Sequence, residues 1–501
     1  MSAVAGQWSA MRCTNRRLQV LLQIFLMLVV RTAAVTAQSG ALDLTFGSDG
    51  FVMTPFAAIQ KTSFNSQRTK LKVPIALYPY CFGLYGAVQN DGKIIVICDN
   101  RVGYNFGEYI IAMARYEPSG ELDTTFGVGG KVTFSSGAER REACVGLEIL
   151  SDGHIMVSGR SVPLGKTPAN SSDGEILLLK YKPDGSPDPG FGENGVKMCK
   201  YGHPGDGKFF HRTFKAQPDG RLLVAGGTFT ESNKATTSVA RFTPDGVLDP
   251  AFGNAGRAPV PLPNNGKLVV DDAISLPDGK CLVAGWLHFG KFTLDASTRP
   301  FVYSALLCLN GDGSIDTNFG KDGRVAMAMG GLNSFDNRLA LQGDGKIIVA
   351  TKCGPHSASN SGQSIGLFRY LPNGMLDDTF GRGGKVTAYF PRVHAVSEAL
   401  VLGDGRIAVA GEVEGCFALT LFLPNGAPDV SFGKSGLMTY EPADWAESKA
   451  NQAARRNKMS DPVSMQVGGA LLQKDGKIVI FGSIPLKNSS RVLGMVRINV
   501  K

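Results

Sequence analysis

Residues able to do chemistry are scattered through this chain rather than gathered into a local motif. No Gly-x-Ser-x-Gly nucleophile turn, His-Glu-x-x-His zinc pair or phosphate-binding loop occurs in its 501 residues. Five of the six histidines (His203, His211, His288, His356 and His394) sit between apolar runs. Imidazoles converging from several loops make a good metal-ligand set, but these come at no diagnostic spacing, and no Cys-x-x-Cys pair supports a structural zinc site. The expectation is no metal and no cofactor. Carboxylates group tightly only at Asp271-Asp272 and at Glu412 with Glu414. Neighbours on a strand point to opposite faces, so Asp271 and Asp272 are not expected to work as a pair. The segment from Asn310 to Asp316 (Asn-Gly-Asp-Gly-Ser-Ile-Asp) has the look of a calcium loop. It offers too few oxygen ligands for the five or six that calcium wants, and turn chemistry explains it better.

Candidate binding residues are basic and aromatic. Lys61, Arg68, Lys70 and Lys72 fall in one long loop, and Trp445, Lys449, Arg455, Arg456 and Lys458 fall in or beside another. Asp444 to Asn457 lacks turn residues and begins with a capping aspartate, which predicts a short exposed helix. Trp286 beside His288 adds an aromatic to the same set. Together they form a candidate surface for an acidic glycan or protein, although a merely solvated charged face has the same composition. Asn170 and Asn488 stand in N-glycosylation sequons.

The formal charge of +9 does not indicate nucleic acid, because Arg12, Arg16, Arg17 and Arg31 lie in a leader without acids. A basic stretch, an apolar run from Leu18 to Val30 and small residues at Val35-Thr36-Ala37 read as a signal peptide over 1–37, cleaved before Gln38. The apolar run is short for a bilayer span, and no later stretch is long enough, so no membrane span is expected after cleavage. Eight cysteines remain beyond the leader, and Cys281 and Cys308, on consecutive predicted strands, are the candidate disulfide.

The elements that must position these residues are repeats. Asp-x-x-Phe-Gly recurs seven times, its phenylalanine at Phe46, Phe126, Phe191, Phe252, Phe319, Phe380 and Phe432. Asp-Gly followed by an apolar strand alternates with it, from Asp91, Asp152, Asp219, Asp278, Asp344, Asp404 and Asp475. The period is roughly 64 residues, on the order of the 40–50 of familiar propeller repeats. Short β-branched runs bounded by turns, with no 3.6-residue periodicity, predict four strands per repeat. Runs such as Ile347-Ile348-Val349-Ala350 are apolar on both faces, as strands buried between stacked sheets must be. The chain ends in a strand, Met495 to Val500, and Leu42 to Gly47 supplies the motif that should follow it, so one repeat is split between the termini. The predicted fold is all-β: a seven-bladed β-propeller with four-stranded blades, closed by pairing of the N- and C-terminal strands, spanning residues 38–501.

Leu122 to Val132 with Asp152 to Gly159, and Leu376 to Val386 with Asp404 to Gly411, resemble the delta-60 repeat, a pattern near Leu-Asp-Thr-Thr-Phe-Gly-x-Gly-Gly-Lys-Val followed by Asp-Gly-Lys-Ile-x-Val-x-Gly. The resemblance covers about residues 41 to 501 and implies a β-propeller-like fold, with no shared catalytic residues to carry over.

Alternating strands put the Asp-Gly turns on one face and the long connections (53–80, 159–175, 197–211, 286–300, 351–364, 438–466) on the other, the face expected to bind. Two functions stay open. One is a secreted or cell-surface, monomeric, non-catalytic module that binds a protein or glycan through the long-loop face. The other is a hydrolase- or lyase-type enzyme with its site in the central channel. Carboxylates and histidines converging on the channel from three or more repeats would favour catalysis.

Overall fold

The computed structural model describes residues 39–55, 80–102, 108–137, 140–163, 175–200, 208–229, 235–260, 267–288, 303–327, 333–354, 364–390, 393–441, 465–485 and 491–500. These form seven four-stranded antiparallel sheets, and no helix occurs among them. Blade one comprises residues 80–134, blade two 140–199, blade three 208–260, blade four 267–327, blade five 333–389 and blade six 393–440. In each of these the strands pair in chain order. Blade seven takes three strands from residues 466–498 and its fourth, β1 (Phe51–Thr54), from the N-terminal part of the chain.

That fourth strand closes the ring as expected. β1 lies antiparallel to β28 (Arg491–Ile498), with Phe51 opposite Val496 and Thr54 opposite Leu493. Elsewhere a covalent turn joins the third strand to Asp-x-x-Phe-Gly; here two chain ends complete it. The Gly40 amide donates to the Asn499 carbonyl at 2.6 Å, and the Asn499 amide donates to Ala41 at 3.0 Å.

The recurring phenylalanines are structural wedges. All seven are buried, each against the turn glycine of the next blade. A Cβ on Gly185 would stand 2.7 Å from the Phe126 ring, one on Gly426 2.7 Å from Phe380, and one on Gly40 3.1 Å from Phe432. The paired glycine is equally constrained: Gly381 has φ +55°, and a Cβ there would meet the Lys385 carbonyl oxygen at 2.3 Å. Its amide instead donates to Asn425 of the following blade at 2.9 Å. Four blades add an arginine over the ring. Arg369 lies 4.5 Å from the Phe380 centroid, its Nε donates to Asp377 at 2.8 Å, and its Nη1 reaches the Pro424 carbonyl of the next blade at 2.7 Å. The motif therefore ties each blade to its neighbour through ring, amide and guanidinium.

The repeat and the blade are out of phase by one strand. The short strand after each Phe-Gly, such as β9 (Val196–Cys199), pairs with the strand before that motif, β8 (Glu175–Tyr181), and is the outermost strand of its blade. The innermost strand is the one leading into Asp-Gly. The seven innermost strands are β2 (Tyr80–Val88), β6 (Arg140–Ile149), β10 (Lys208–Ala216), β14 (Lys267–Ser275), β18 (Asn333–Leu341), β22 (Val393–Val401) and β26 (Gln466–Leu472), and they abut in sequence around the axis.

Cys281 and Cys308 are free thiols rather than a disulfide. Cys281 stands opposite Leu309, and Cys308 opposite Leu282, so their side chains emerge on opposite faces of blade four and enter different apolar cores. Cys98 is disulfide-bonded.

Candidate functional site in the central channel

An innermost strand pairs on one side only, and all seven use that freedom to break register. The interruptions fall at Phe82/Tyr85, Cys144/Gly146, His211/Thr213, Val270/Asp272, Phe335/Arg338, Val396/Glu398 and Val467/Gly469. A bulge leaves residues unpaired, bends the strand and re-aims side chains. The residue that resumes pairing always opposes the fourth residue of the second strand, so Tyr85, Gly146, Thr213, Asp272, Arg338, Glu398 and Gly469 lie at one height. Two residues further along, blades two and three supply Glu148 and Lys215.

From blade two to blade six the innermost strands thus present Glu148, Lys215, Asp272, Arg338 and Glu398, charges of alternating sign. Lys215 Nζ lies 3.3 Å from Glu148 Oε1. Asp272 accepts the Ala273 amide at 2.8 Å and, across the joint, the Leu339 amide at 2.9 Å. Arg338 Nε donates to the Ser397 carbonyl at 2.8 Å, and its Nη1 to the carbonyls of Asn337 at 3.1 Å and Asp271 at 3.2 Å. Glu398 is held more loosely, accepting its neighbour's Ala399 amide at 3.3 Å. The arc between blades seven and one contrasts with this. Gly468 is so close to Leu84 that a Cβ would sit 2.4 Å from it, and a Cβ on Gly469 would meet the Phe481 ring at 2.9 Å.

The bulge corrects the expected opposite orientation of Asp271 and Asp272. Strict alternation would send their carboxylates apart, but the break between Val270 and Asp272 frees Asp271 from the ladder, and both side chains reach β18. Asp271 Oδ2 accepts the Asn337 amide at 3.1 Å and its Nδ2 at 2.9 Å, next to the bond Asp272 makes with Leu339.

Protein surrounding the channel shifts these acids. Burial first, and the Asp272 charge second, raise Glu398 to about 7 against the opposing pull of Lys215 and Arg338. Burial raises Asp271 to about 6, opposed by Arg338 and the Asn337 hydrogen bonds. Burial works against the charge of Arg338, but Asp272, Asp271, Glu398 and Asp336 outweigh it and hold the proton more tightly. A second group lies across blades one and two. Asp99 on β3 (Ile94–Val102) accepts the Cys144 amide at 2.5 Å and is pushed up to about 7 by burial. Arg160 on β7 (Ile155–Pro163) is lowered by burial, which outweighs the charges of Asp99 and Tyr85. Carboxylates from blades two, four and six therefore stand on the innermost strands around the axis. Among the described residues no three His, Cys, Asp or Glu side chains converge as metal ligands.

Few of the residues singled out in the sequence belong to this site. Trp286, on β15 (Cys281–His288), stacks edge-on against Phe335 of the next blade at 6.1 Å. His394 is half-buried on β22, and its carbonyl accepts Lys352 Nζ at 2.8 Å. His211 and His288 lie on β10 and β15, but their side chains lie outside the described residues. Lys61, Arg68, Lys70, Lys72, His203, His356, Trp445, Arg455, Arg456, Asn170, Asn488 and the segment 444–457 all lie outside them too. Lys215, Arg338 and Glu398 were missed as single charges inside apolar strands. The signal was a common distance from the Asp-Gly turn, six residues for Asp272, Arg338 and Glu398 and four for Glu148 and Lys215.

Five repeats match a family profile described as a domain of unknown function (DUF5122) beta-propeller, at residues 89–126, 217–252, 276–319, 342–380 and 402–432. No curated protein matches the chain. Among solved structures, polysaccharide lyase Uly1 is similar, with a TM-score of 0.47 and 10% identity over 93% of this chain and 98% of that one. An α-L-arabinanase of Penicillium chrysogenum, complexed with arabinobiose, gives 0.41 and 11% over 71% and 92%. A protein of unknown function from Dyadobacter fermentans gives 0.40 and 11% over 85% and 96%. With seven four-stranded sheets in a ring and five repeats matched by that profile, the chain is a β-propeller repeat protein.

Proposed function

We propose that this is an exported, monomeric β-propeller of the delta-60 repeat kind whose central channel is an acid–base site for a polar ligand entering from the long-loop face. One observation carries the reading: Glu398 and Asp271 flank the fixed Arg338 on adjoining innermost strands, where burial pushes their carboxyls up to about 7 and about 6. Two carboxyls poised near neutrality beside a permanent cation can give and take a proton while the cation holds developing negative charge. Glu398 is the donor in this scheme and Asp271 the acceptor. The leader at 1–37 directs export, and Asn170 and Asn488 carry glycans.

A second reading, a non-catalytic module binding a protein or glycan over the loop face, is favoured by the topology. The connections 55–79 and 441–465 each join an outermost strand to the next innermost strand, so both open on the same face.

The test is a ligand panel of neutral glycans, uronate glycans and amine-bearing small molecules, read by thermal shift. Three proteins are compared: the mature chain, E398Q/D271N, and a variant with 56–79 and 442–464 shortened. A ligand at one hundred times its dissociation constant adds about 2.7 kcal/mol of stability. A shift lost in the channel variant and kept in the loop variant supports the acid–base site. The reverse supports the loop module, and a shift kept in both variants contradicts the two readings alike.

A further inference from the structure

We infer that Asn337, locked by Ser304, is the positioning residue that presents the Asp271 carboxylate to the channel. The inference rests on the reading of the channel as an acid–base site. It begins with the β18 bulge, which, like that of β14, inserts one extra residue. Phe335 pairs with Lys352 and Arg338 with Ala350, so Asp336 and Asn337 together oppose Thr351 alone. Asp336 adopts a left-handed φ of +54°, a conformation that costs a non-glycine residue free energy. That turn of the backbone aims both the main-chain amide and the side-chain amide of Asn337 at one atom, Asp271 Oδ2, at 3.1 and 2.9 Å.

An asparagine amide offers either its oxygen or its nitrogen to a neighbour, and a rotation of the group exchanges them. Ser304, on β16 (Tyr303–Leu309), removes the choice. Its hydroxyl donates to Asn337 Oδ1, which forces Nδ2 toward Asp271. Ser304 is 3% exposed and Asn337 is fully buried, so water does not compete for these bonds. Both donors converge on Oδ2, and among the described residues nothing bonds Oδ1, which is left as the working oxygen. The charged groups facing Asp271 are Arg338, which favours its ionised form, and Asp336, which opposes it.

The test follows the Asp271 carboxyl by carbon NMR through a pH titration of the whole mature protein, with the signal assigned from D271N. The wild type should titrate near 6. N337A removes one charge-assisted bond, and the midpoint should rise by about one unit. S304A leaves Asn337 in place but frees its amide to rotate, and should raise the midpoint in the same direction by less. Midpoints unmoved in N337A and S304A, both still folded by circular dichroism, would overturn the inference. Should N337A fail to fold, S304A decides alone. Ligand binding by D271N separates this inference from the reading beneath it. Shifted midpoints with binding intact in D271N leave the positioning role standing and remove the acid–base site. Unmoved midpoints with binding lost do the opposite.

Discussion

Replacing Glu398 by glutamine should make the protein more stable at pH 8, and by far less at pH 5. The Glu398 midpoint is about 7 in the folded chain against an ordinary value of 4.5, so the native state holds a proton that the unfolded chain has already released. The stability this contributes is fully present below pH 4.5 and is lost as pH rises through 7. Each unit is worth about 1.4 kcal/mol, so the ionised carboxylate costs up to about 3 kcal/mol, and water in the channel screens part of that to leave roughly 1–3. Glutamine keeps the shape and never ionises. For a folded unit of roughly 460 residues, with an unfolding entropy of about 2.1 cal/mol/K per residue, the gain at pH 8 corresponds to a Tm increase of about 1–3 °C. Calorimetric scans of wild type and E398Q at pH 5, 6.5 and 8 measure the difference directly. A loss of stability at pH 8 would refute the reasoning, because it would show Glu398 to be an indispensable partner of Lys215 and Arg338. A gain in stability joined to a loss of ligand response is the pattern of a residue kept for function.

Phe380→Ala should destabilise by about 3–5 kcal/mol, since it empties the wedge between blades five and six and strands the arginine above it; urea unfolding measures this. Arg369 and Thr379 hold Asp377 near 2 against the opposing effect of burial, so its contribution exists above pH 3.8 and fades as pH falls through 2. Asp377→Asn should therefore cost on the order of 1–2 kcal/mol at pH 7, with the difference from wild type shrinking in acid. Deleting residues 39–54 removes the fourth strand of blade seven and exposes the β28 edge. That truncation should lower Tm and promote association, while a permuted chain joining Lys501 to Ser39 through a short linker should fold, as light scattering and calorimetry would report. Cys281 and Cys308 should both alkylate in denaturant without reductant, by mass spectrometry.

The blades were legible because each rests on local chemistry repeated seven times. Asp-Gly specifies a hairpin turn, and a phenylalanine beside a glycine that must adopt positive φ specifies a wedge, whatever lies elsewhere in the chain. The split repeat at the termini was legible for the same reason: Leu42 to Gly47 completes a pattern that Met495 to Val500 begins. The channel was not. Bulges depend on the curvature that seven strands need to pack around one axis, a property of the closed ring that no single strand records. Without them Asp271 and Asp272 were expected to point to opposite faces, and nothing in the sequence singled out Arg338. The Cys281–Cys308 pairing failed for a related reason, because nearness in strand order does not fix the face from which a side chain leaves.

The most direct measurement is carboxyl labelling of the mature protein at pH 6.5 with a reagent that esterifies only protonated acids, mapped by mass spectrometry. The account predicts that Glu398 is modified well ahead of the surface aspartates of the Asp-Gly turns, that Asp271 follows it, and that a bound ligand protects both. Labelling of Glu398 no faster than that of Asp91 or Asp475 would show an ordinary ionised carboxylate there and contradict an acid–base site in the channel.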